Sequence, residues 1–496
     1  MSIVPTSYST RSFVTRQLGE IRDQFDTLQR QMATGRRAET NATLGSERIL
    51  SLVYRQQSAA VASFLQTIDL VDTRLKVIST TLNRISTVGS EAKAAIDPNL
   101  FSLQTNGRTT GQQAAMNYLQ ELMALLNADV ADRRVFAGKA VDTAPVEFID
   151  RILNGEGAKA GLRQVMAERR AADLGADGLG RLVVPAVAAD TVSLAEDAAG
   201  SPFGFKLQSV SSNFTGATVD GPTGSPAGIS IALTDQPQPG QTVSITLGLP
   251  DGSTHTITLT AAATGGPGTF AIGASVPEAA DNLRNALIGS LEAAGETVLA
   301  AASGLQASNE FFASDGNPAM RVDGPPFDSA TALRDATDTD TIAWYKGDNS
   351  AGDPREDALA RVDQSITIAY GLRANEPGFA AMFANLAALV ADDFSGGSDA
   401  DSARSTETIR RVRVNLETNT RSVNATAMEI AGAQISLEQA RDRLQATQAT
   451  LLELIEKVEG VDINETSVNL LSLQSRIQAS YEATAMLFRL NLADYL

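Results

Sequence analysis

Cysteine is absent from this 496-residue chain, and histidine and tryptophan occur once each. Without cysteine there can be no disulfide framework and no thiol nucleophile, and the commonest structural zinc ligand is missing. Aromatic residues make up only 5% of the chain against 43% hydrophobic residues, so Ala, Leu, Val and Ile must do most of the packing. That composition suits slender helix bundles better than a thick enzyme core. No stretch approaches the length of about 18 apolar residues that a transmembrane helix needs, so no membrane insertion is expected. The start, Met1 to Arg11, has no basic region followed by an apolar one. It predicts no cleavable secretory signal, leaving the cytoplasm or an export route that reads none. No repeat of 20 to 50 residues is visible, which argues against a solenoid or propeller.

The formal net charge is −18 and unevenly spread. Met1–Pro145 carries +3, Val146–Asp340 carries −13 and Thr341–Leu496 carries −8. A balance this acidic argues against a nucleic-acid partner, whose phosphates require Lys and Arg. The weakly basic first segment and the acidic last one could attract each other along a shared bundle.

What is present is a helix-bundling pattern at both ends. Leu18, Ile21, Phe25, Leu28 and Met32 recur at steps of three and four, and the pattern resumes from Ile68 through Val71, Leu75, Ile78 and Leu82 to Ile85. Val423, Ile430, Leu437, Leu444, Leu451 and Val458 recur at steps of seven. Such spacing draws one apolar stripe along a helix, as a coiled-coil seam requires. Three residues beyond that seam stand Ala433, Ala440 and Thr447, small enough for close helix approach.

The pattern predicts a helix over 16–34 ended by Gly35, and a long helix over 47–96 closed by Asp97-Pro98. A third follows over 110–133, with Met116, Leu119, Leu122, Leu126 and Val130 on one face. The segment Arg134–Pro145 reads as a strand or turn leaving the bundle, and a short helix is expected over 161–174. Between Thr191 and Met320 only Lys206 and Arg284 are basic, against 11 acidic residues. There Val243, Ile245, Leu247 and Leu249 alternate, then Ile257 and Leu259, around Pro250-Asp251-Gly252: a β-hairpin with one apolar face. A helix over 277–294 completes a small α+β module, and 335–340 reads as a polar linker. The chain returns through a strand or hairpin over 362–374, a short helix over 378–391 and a turn at Gly396-Gly397-Ser398. A helix over 402–459 and a last one over 466–490 complete it.

Chemistry has little to stand on. His255 lies on the apolar side of the predicted hairpin, with no nucleophile-elbow pattern nearby. Asp335, Asp338 and Asp340, like Asp348 and Asp353, lack the glycine and closing glutamate of a calcium loop and read as solvated acids. Gly221–Gly224 and Gly265–Gly268 lack the lysine and hydroxyl of a phosphate loop and read as turns. Arg410, Arg411 and Arg413 read as a solvated face or intrabundle ion pairs, with an acidic neighbouring subunit as the functional alternative. No catalytic, cofactor or metal residue is predicted, and no enzyme.

Several segments resemble the flagellin superfamily, most closely its hook-associated protein 3 type of the hook–filament junction. Leu28-Gln-Arg-Gln-Met-Ala-Thr-Gly-Arg-Arg37 is similar to the family's Leu…Gln-Met-Ser-Thr-Gly-Lys-Arg element. Arg134-Val-Phe-Ala-Gly138 with Asp142-Thr-Ala-Pro145 resembles its exit from the bundle. Ala343-Trp-Tyr-Lys-Gly-Asp348 with Tyr370-Gly-Leu-Arg-Ala-Asn-Glu376 looks like the re-entry hairpin of alphaproteobacterial members. Leu473–Thr484 and Leu490–Leu496 resemble the terminal helix. The match covers about the first 145 and last 155 residues. Thr40–Glu47 replaces the Asp-Asp-Ala-Ala-Gly element of filament flagellins, and their Asn-Gln…Leu-Leu ending is missing. Both departures favour the junction protein over a divergent filament flagellin. A flagellin with an enzymatic insertion is the remote alternative.

The resemblance implies an extracellular structural subunit, exported unfolded through a type III channel with the help of a chaperone. Its partners would be its own copies, flagellin and another hook-associated protein, with no cofactor. The fold class expected is mainly α with an α+β insertion: an elongated antiparallel bundle from both termini and a β-containing outer domain. The expected segments are 1–145 and 401–496 as bundle halves, 146–340 as the insertion with its α+β module near 191–320, and 341–400 as the re-entry. Assembly is expected to rest on Leu18, Ile21, Phe25, Leu28, Met32, Leu444, Leu451, Ile477, Tyr481 and Phe488, ordered only when subunits meet.

Overall fold

The computed structural model describes residues 7–130, 132–313 and 316–493, and the side chains of 16–486 within them except 41 and 43. The chain is mixed, mainly α with several small sheets. Helix α1 (Ser7–Thr34) starts nine residues before the predicted point, and Gly35, at φ +66°, ends it. A 3-10 segment (Asn41–Glu47) leads into α2 (Arg48–Ala95). Helix α3 (Thr110–Leu126) opens on a capping box: Thr109 accepts from the Gln112 amide while the Gln112 side chain accepts from the Thr109 amide. The helix stops at Asn127, short of the expected Arg133. Strands β1 (Asp129–Val130) and β2 (Arg133–Arg134) pair instead, so Val130 is a strand residue.

Two helices follow, α4 (Ile149–Asn154), which the sequence pattern missed, and α5 (Leu162–Leu174). Strands β3 (Leu182–Val183) to β10 (Thr269–Ala271) come next: β4 (Thr191–Glu196), β5 (Lys206–Ser212), β6 (Ala217–Thr223), β7 (Gly228–Leu233), β8 (Thr242–Gly248) and β9 (Thr254–Ala262) lie between them. Helices α6 (Val276–Ala294) and α7 (Ala300–Phe311) are joined through a π-helical turn. Strands β11 (Met320–Val322) and β12 (Leu333–Asp335) pair, so Asp335 ends a strand where a polar linker was expected. Strands β13 (Leu359–Arg361) and β14 (Thr367–Ala369) pair, so the strand or hairpin expected over 362–374 is a hairpin whose first strand lies before that range. Helices α8 (Pro377–Ala391), α9 (Asp399–Glu459) and α10 (Ile463–Ala493) complete the chain.

Two compact units emerge. One holds Met1–Asp72, Ala360–Ile368 and Ile435–Leu496; the other holds Thr73–Leu359 and Ala369–Gln434.

In the first unit α1 packs on α10. Arg36 bridges Gly460, Met32 meets Ser467 and Arg22 meets Tyr481, so one index falls as the other rises and the helices are antiparallel. The α2 and α9 segments of this unit also run antiparallel: Arg55 pairs with Glu459, Ser58 with Gln448 and Asp72 with Arg441.

In the second unit, sheets ordered β3-β4-β7-β6 and β10-β9-β8-β5 share one core with α6. The predicted hairpin is β8–β9, with Ile245 opposite Ile257 and Val243 opposite Leu259, all four buried. Leu283, Leu287 and Leu291 of α6 close that core. Ser275 caps α6, accepting from the Glu278 amide, and Pro277 sits in its first turn. Helix α8 is buried nearly all round, which is why its alanine-rich sequence shows no polar face. Phe312 and Trp344 pack on its Phe383, with ring centroids 5.2–5.9 Å apart among the three.

The exit and re-entry segments lie side by side in this unit. Val146 bridges Tyr345, the Glu147 amide donates to the Trp344 carbonyl at 2.9 Å, and the Ala374 amide donates to the Phe136 carbonyl at 2.8 Å. The stretch between Glu147 and Trp344 is thus inserted between neighbouring main-chain segments.

Candidate assembly surface

The apolar stripes read from the sequence on α2 and α9 are buried seams. Ile68, Val71, Leu75, Ile78, Leu82 and Ile85 on α2 are all buried, and so are Val423, Ile430, Leu437, Leu444 and Leu451 on α9. Val458, at the end of the repeat, is half-buried. Of the small residues beside this seam only Ala440 is buried. Ala433 is half-buried and Thr447 is exposed, its hydroxyl donating to the Arg443 carbonyl, so the close-approach row is one residue deep.

The assembly residues expected from the sequence fall into three groups. Leu444 and Leu451 lie inside the first unit. Leu18, Ile21, Phe25, Leu28 and Ile477 are half-buried along the α1–α10 pair. Met32 and Tyr481 are exposed, at 45% and 44%. Phe488 lies outside the residues whose side chains are described. Arg22 donates to the Tyr481 hydroxyl and its guanidinium lies 5.8 Å from the ring centroid. This exposed polar contact links α1 to α10.

Several large apolar side chains of the first unit face solvent and were not singled out by periodicity. Ile49, Leu50, Leu52 and Val53 stand at the start of α2, with Ile49 72% exposed. Leu452 on α9 and Ile463, Val468 and Leu471 on α10 are exposed as well, with Val468 65% exposed. In Ile49–Val53 four of five consecutive residues are apolar. A single helix face cannot bury all of them, because neighbouring positions lie about 100° apart. The signal was therefore in the sequence, in the run itself. Exposed apolar side chains of this size are the first candidates for an assembly surface.

Glu459 organises the turn beside this surface. Its carboxylate accepts from Arg55 Nε at 2.6 Å and Nη2 at 2.5 Å, and from Ser51 Oγ at 2.7 Å. Its carbonyl accepts from the Arg37 amide at 2.6 Å, and the Val461 amide donates to the Gly35 carbonyl at 3.1 Å. The hydrogen bond from Arg55 outweighs the opposing effect of burial and, with Ser51 and Arg36, holds the carboxyl down at about 2. Nothing in the spacing of Glu459 announced this role.

The chemistry considered in the sequence takes ordinary structural places. Burial pushes the His255 imidazole below its usual range, with Arg411 acting in the same sense and Glu407 against it. Arg411 donates to Asp251 at 2.9 Å and to Glu407 at 2.7 Å, Arg410 pairs with Glu407, and Arg413 donates to the Ile96 carbonyl. The basic cluster is thus engaged within the chain. Asp340, expected as a solvated acid, pairs with Arg334 at 2.8 Å and accepts from the Thr337 amide. Among the described residues no three His, Asp or Glu side chains come together to hold a metal, and no helix is long and apolar enough to cross a membrane.

No family model matches the chain, and no curated protein is significantly similar to it in sequence.

Proposed function

We propose that this chain is a structural subunit of the bacterial flagellum, a member of the flagellin superfamily that joins hook to filament. The observation that carries the reading is the antiparallel pairing of α1 with α10 beside exposed apolar side chains at Ile49, Val468 and Leu471. A chain whose two ends form one unit with an unfilled apolar surface suits a subunit that polymerises through its termini. The side-by-side exit and re-entry segments add support, because they are the segments that resemble the family's own.

The reading includes the elongated antiparallel bundle, with the acidic insertion facing outward. It also includes export of the unfolded chain by a type III route, an export chaperone, and assembly with its own copies, flagellin and another hook-associated protein outside the cell. Immuno-electron microscopy tests it: label confined to the hook tip is the expected result. Label along the whole filament would instead make the chain a filament flagellin, and label absent from flagella would end the flagellar reading. Removal of residues 473–496 should abolish incorporation while the α+β module stays folded.

A further inference from the structure

A cleft of about 50 Å³ opens in the second unit, where α2, the β1–β2 hairpin and the re-entry stretch Tyr370–Leu372 meet. By the volume that one water needs, it holds about three or four waters, the space of a single carboxylate or phosphate group. Arg74, Arg133, Arg134 and Tyr370 line it, and Ile78 and Val135 give it an apolar wall. Arg74 stands on α2 one turn before Ile78 and next to Leu75, both buried in the seam, so its stem lies along the seam edge and its guanidinium borders the cleft.

The hydrogen bonding of this lining is one-sided. Arg74 Nη1 donates to the Tyr370 hydroxyl at a long 3.4 Å, and Arg74 has no ion pair among the described residues. Its Nε is sealed from solvent, which leaves Nη2 for a ligand. Tyr370 accepts from Arg74, and no described acceptor takes its own proton. Arg133 is exposed and pairs with no described carboxylate. Arg134 is already engaged by Asp129 and the Asn127 carbonyl. Asp357 is the one carboxylate lining the cleft, and Arg373 holds both its oxygens, at 2.5 and 2.9 Å, with Lys139 3.5 Å away. Donors without acceptors call for an acceptor as ligand, and guanidiniums without counter-charges call for a negative one. In a chain of net charge −18 this is a local excess of positive charge, and a cleft lined by one sign of charge concentrates the opposite ion. The guanidinium fork matches the oxygens of a carboxylate or phosphate.

We propose that this cleft binds an oxyanion, a carboxylate or phosphate group, held by Arg74, Arg133 and the Tyr370 hydroxyl. The proposal does not rest on the flagellar reading. Isothermal titration of the full chain in dilute Tris-chloride tests it, with inorganic phosphate in one arm and acetyl-Ala-Glu-Ala-amide in the other. Saturable 1:1 binding of at least one probe is expected, and the peptide with Gln in place of Glu should not bind. Tighter binding of phosphate makes the ligand a free oxyanion, and tighter binding of the Glu peptide makes it an acidic side chain of a protein; either result upholds the site. Arg133→Gln should weaken binding roughly fivefold or more, the loss of one charge-assisted contact. Because Arg133 is exposed, this variant should melt with the natural chain. Arg74→Gln should weaken binding at least as much; if it fails to fold, Arg133→Gln alone decides. The proposal is overturned if neither probe saturates, if the Gln peptide binds as tightly as the Glu peptide, or if Arg133→Gln binds both probes as the natural chain does.

Discussion

Arg55 on α2 grips Glu459, the last residue of α9, through two nitrogens, Nε to Oε1 at 2.6 Å and Nη2 to Oε2 at 2.5 Å. Ser51 donates to the same carboxylate from one turn earlier on α2. The Glu459 carbonyl meanwhile receives the Arg37 amide, so one residue ties α2, α9 and the turn after α1 into a single corner. A bidentate charge-assisted pair of this kind is stronger than a typical surface ion pair, although Arg55 is half open to water.

Replacing Glu459 by Gln should therefore lower the stability of the first unit by about 1 kcal/mol, the scale of a charge-assisted bond discounted for solvent exposure. Urea denaturation followed by far-ultraviolet circular dichroism would report it. An unchanged midpoint would show that the corner is held by the main-chain bonds alone.

The same carboxylate should make stability depend on acid. Its pKa of about 2 in the folded chain lies below the ordinary glutamate value of about 4.5. The unfolded chain thus takes up the proton first as pH falls. The contribution of Glu459 is fully present above about pH 4.5 and is lost on descent to about pH 2. The stability difference between the natural chain and Glu459→Gln should shrink across that window. A difference constant from pH 6 to pH 2 would contradict the assignment.

His255 gives a second, independent titration. Burial among β-hairpin residues, with Arg411 nearby, depresses its pKa below 6.5. It should be neutral at pH 7, and its stabilising contribution should be present above pH 6.5 and decline as pH falls through the folded value. Because the chain has one histidine, a single pair of imidazole resonances in an NMR titration reads this directly. A midpoint at or above 6.5 would mean that the ring is solvated.

Leu444 and Leu471 should separate folding from assembly. Leu444 is buried on the α9 seam, so Leu444→Ala should cost about 2–4 kcal/mol of stability. Leu471 is exposed on α10, so Leu471→Asp should change monomer stability by less than about 0.5 kcal/mol. If the exposed surface drives assembly, Leu471→Asp should nevertheless block incorporation, scored by sedimentation of assembled material. Normal incorporation of Leu471→Asp would remove the exposed α10 face from the assembly mechanism.

By itself the sequence determined the elements whose signal is local. The seam of α9, the β8–β9 hairpin around Asp251-Gly252 and the helix stop at Gly35 are each written in spacing or in one residue's backbone freedom, which near neighbours cannot override. It also determined the seam residues of α2 from Ile68 to Ile85 and of α9 from Val423 to Leu451, because a stripe at helical spacing has only one side to bury. Tertiary structure decided the rest. Helix α3 ends at Asn127 because β1 and β2 capture the next residues in pairing, a competition that helical periodicity cannot see. Asp335 became a strand residue through its pairing with Met320. The role of Glu459 depends on Ser51 and Arg55, partners about four hundred residues away in sequence. Side-chain hydrogen bonds over such separations leave no period in the sequence, so only the folded chain shows them.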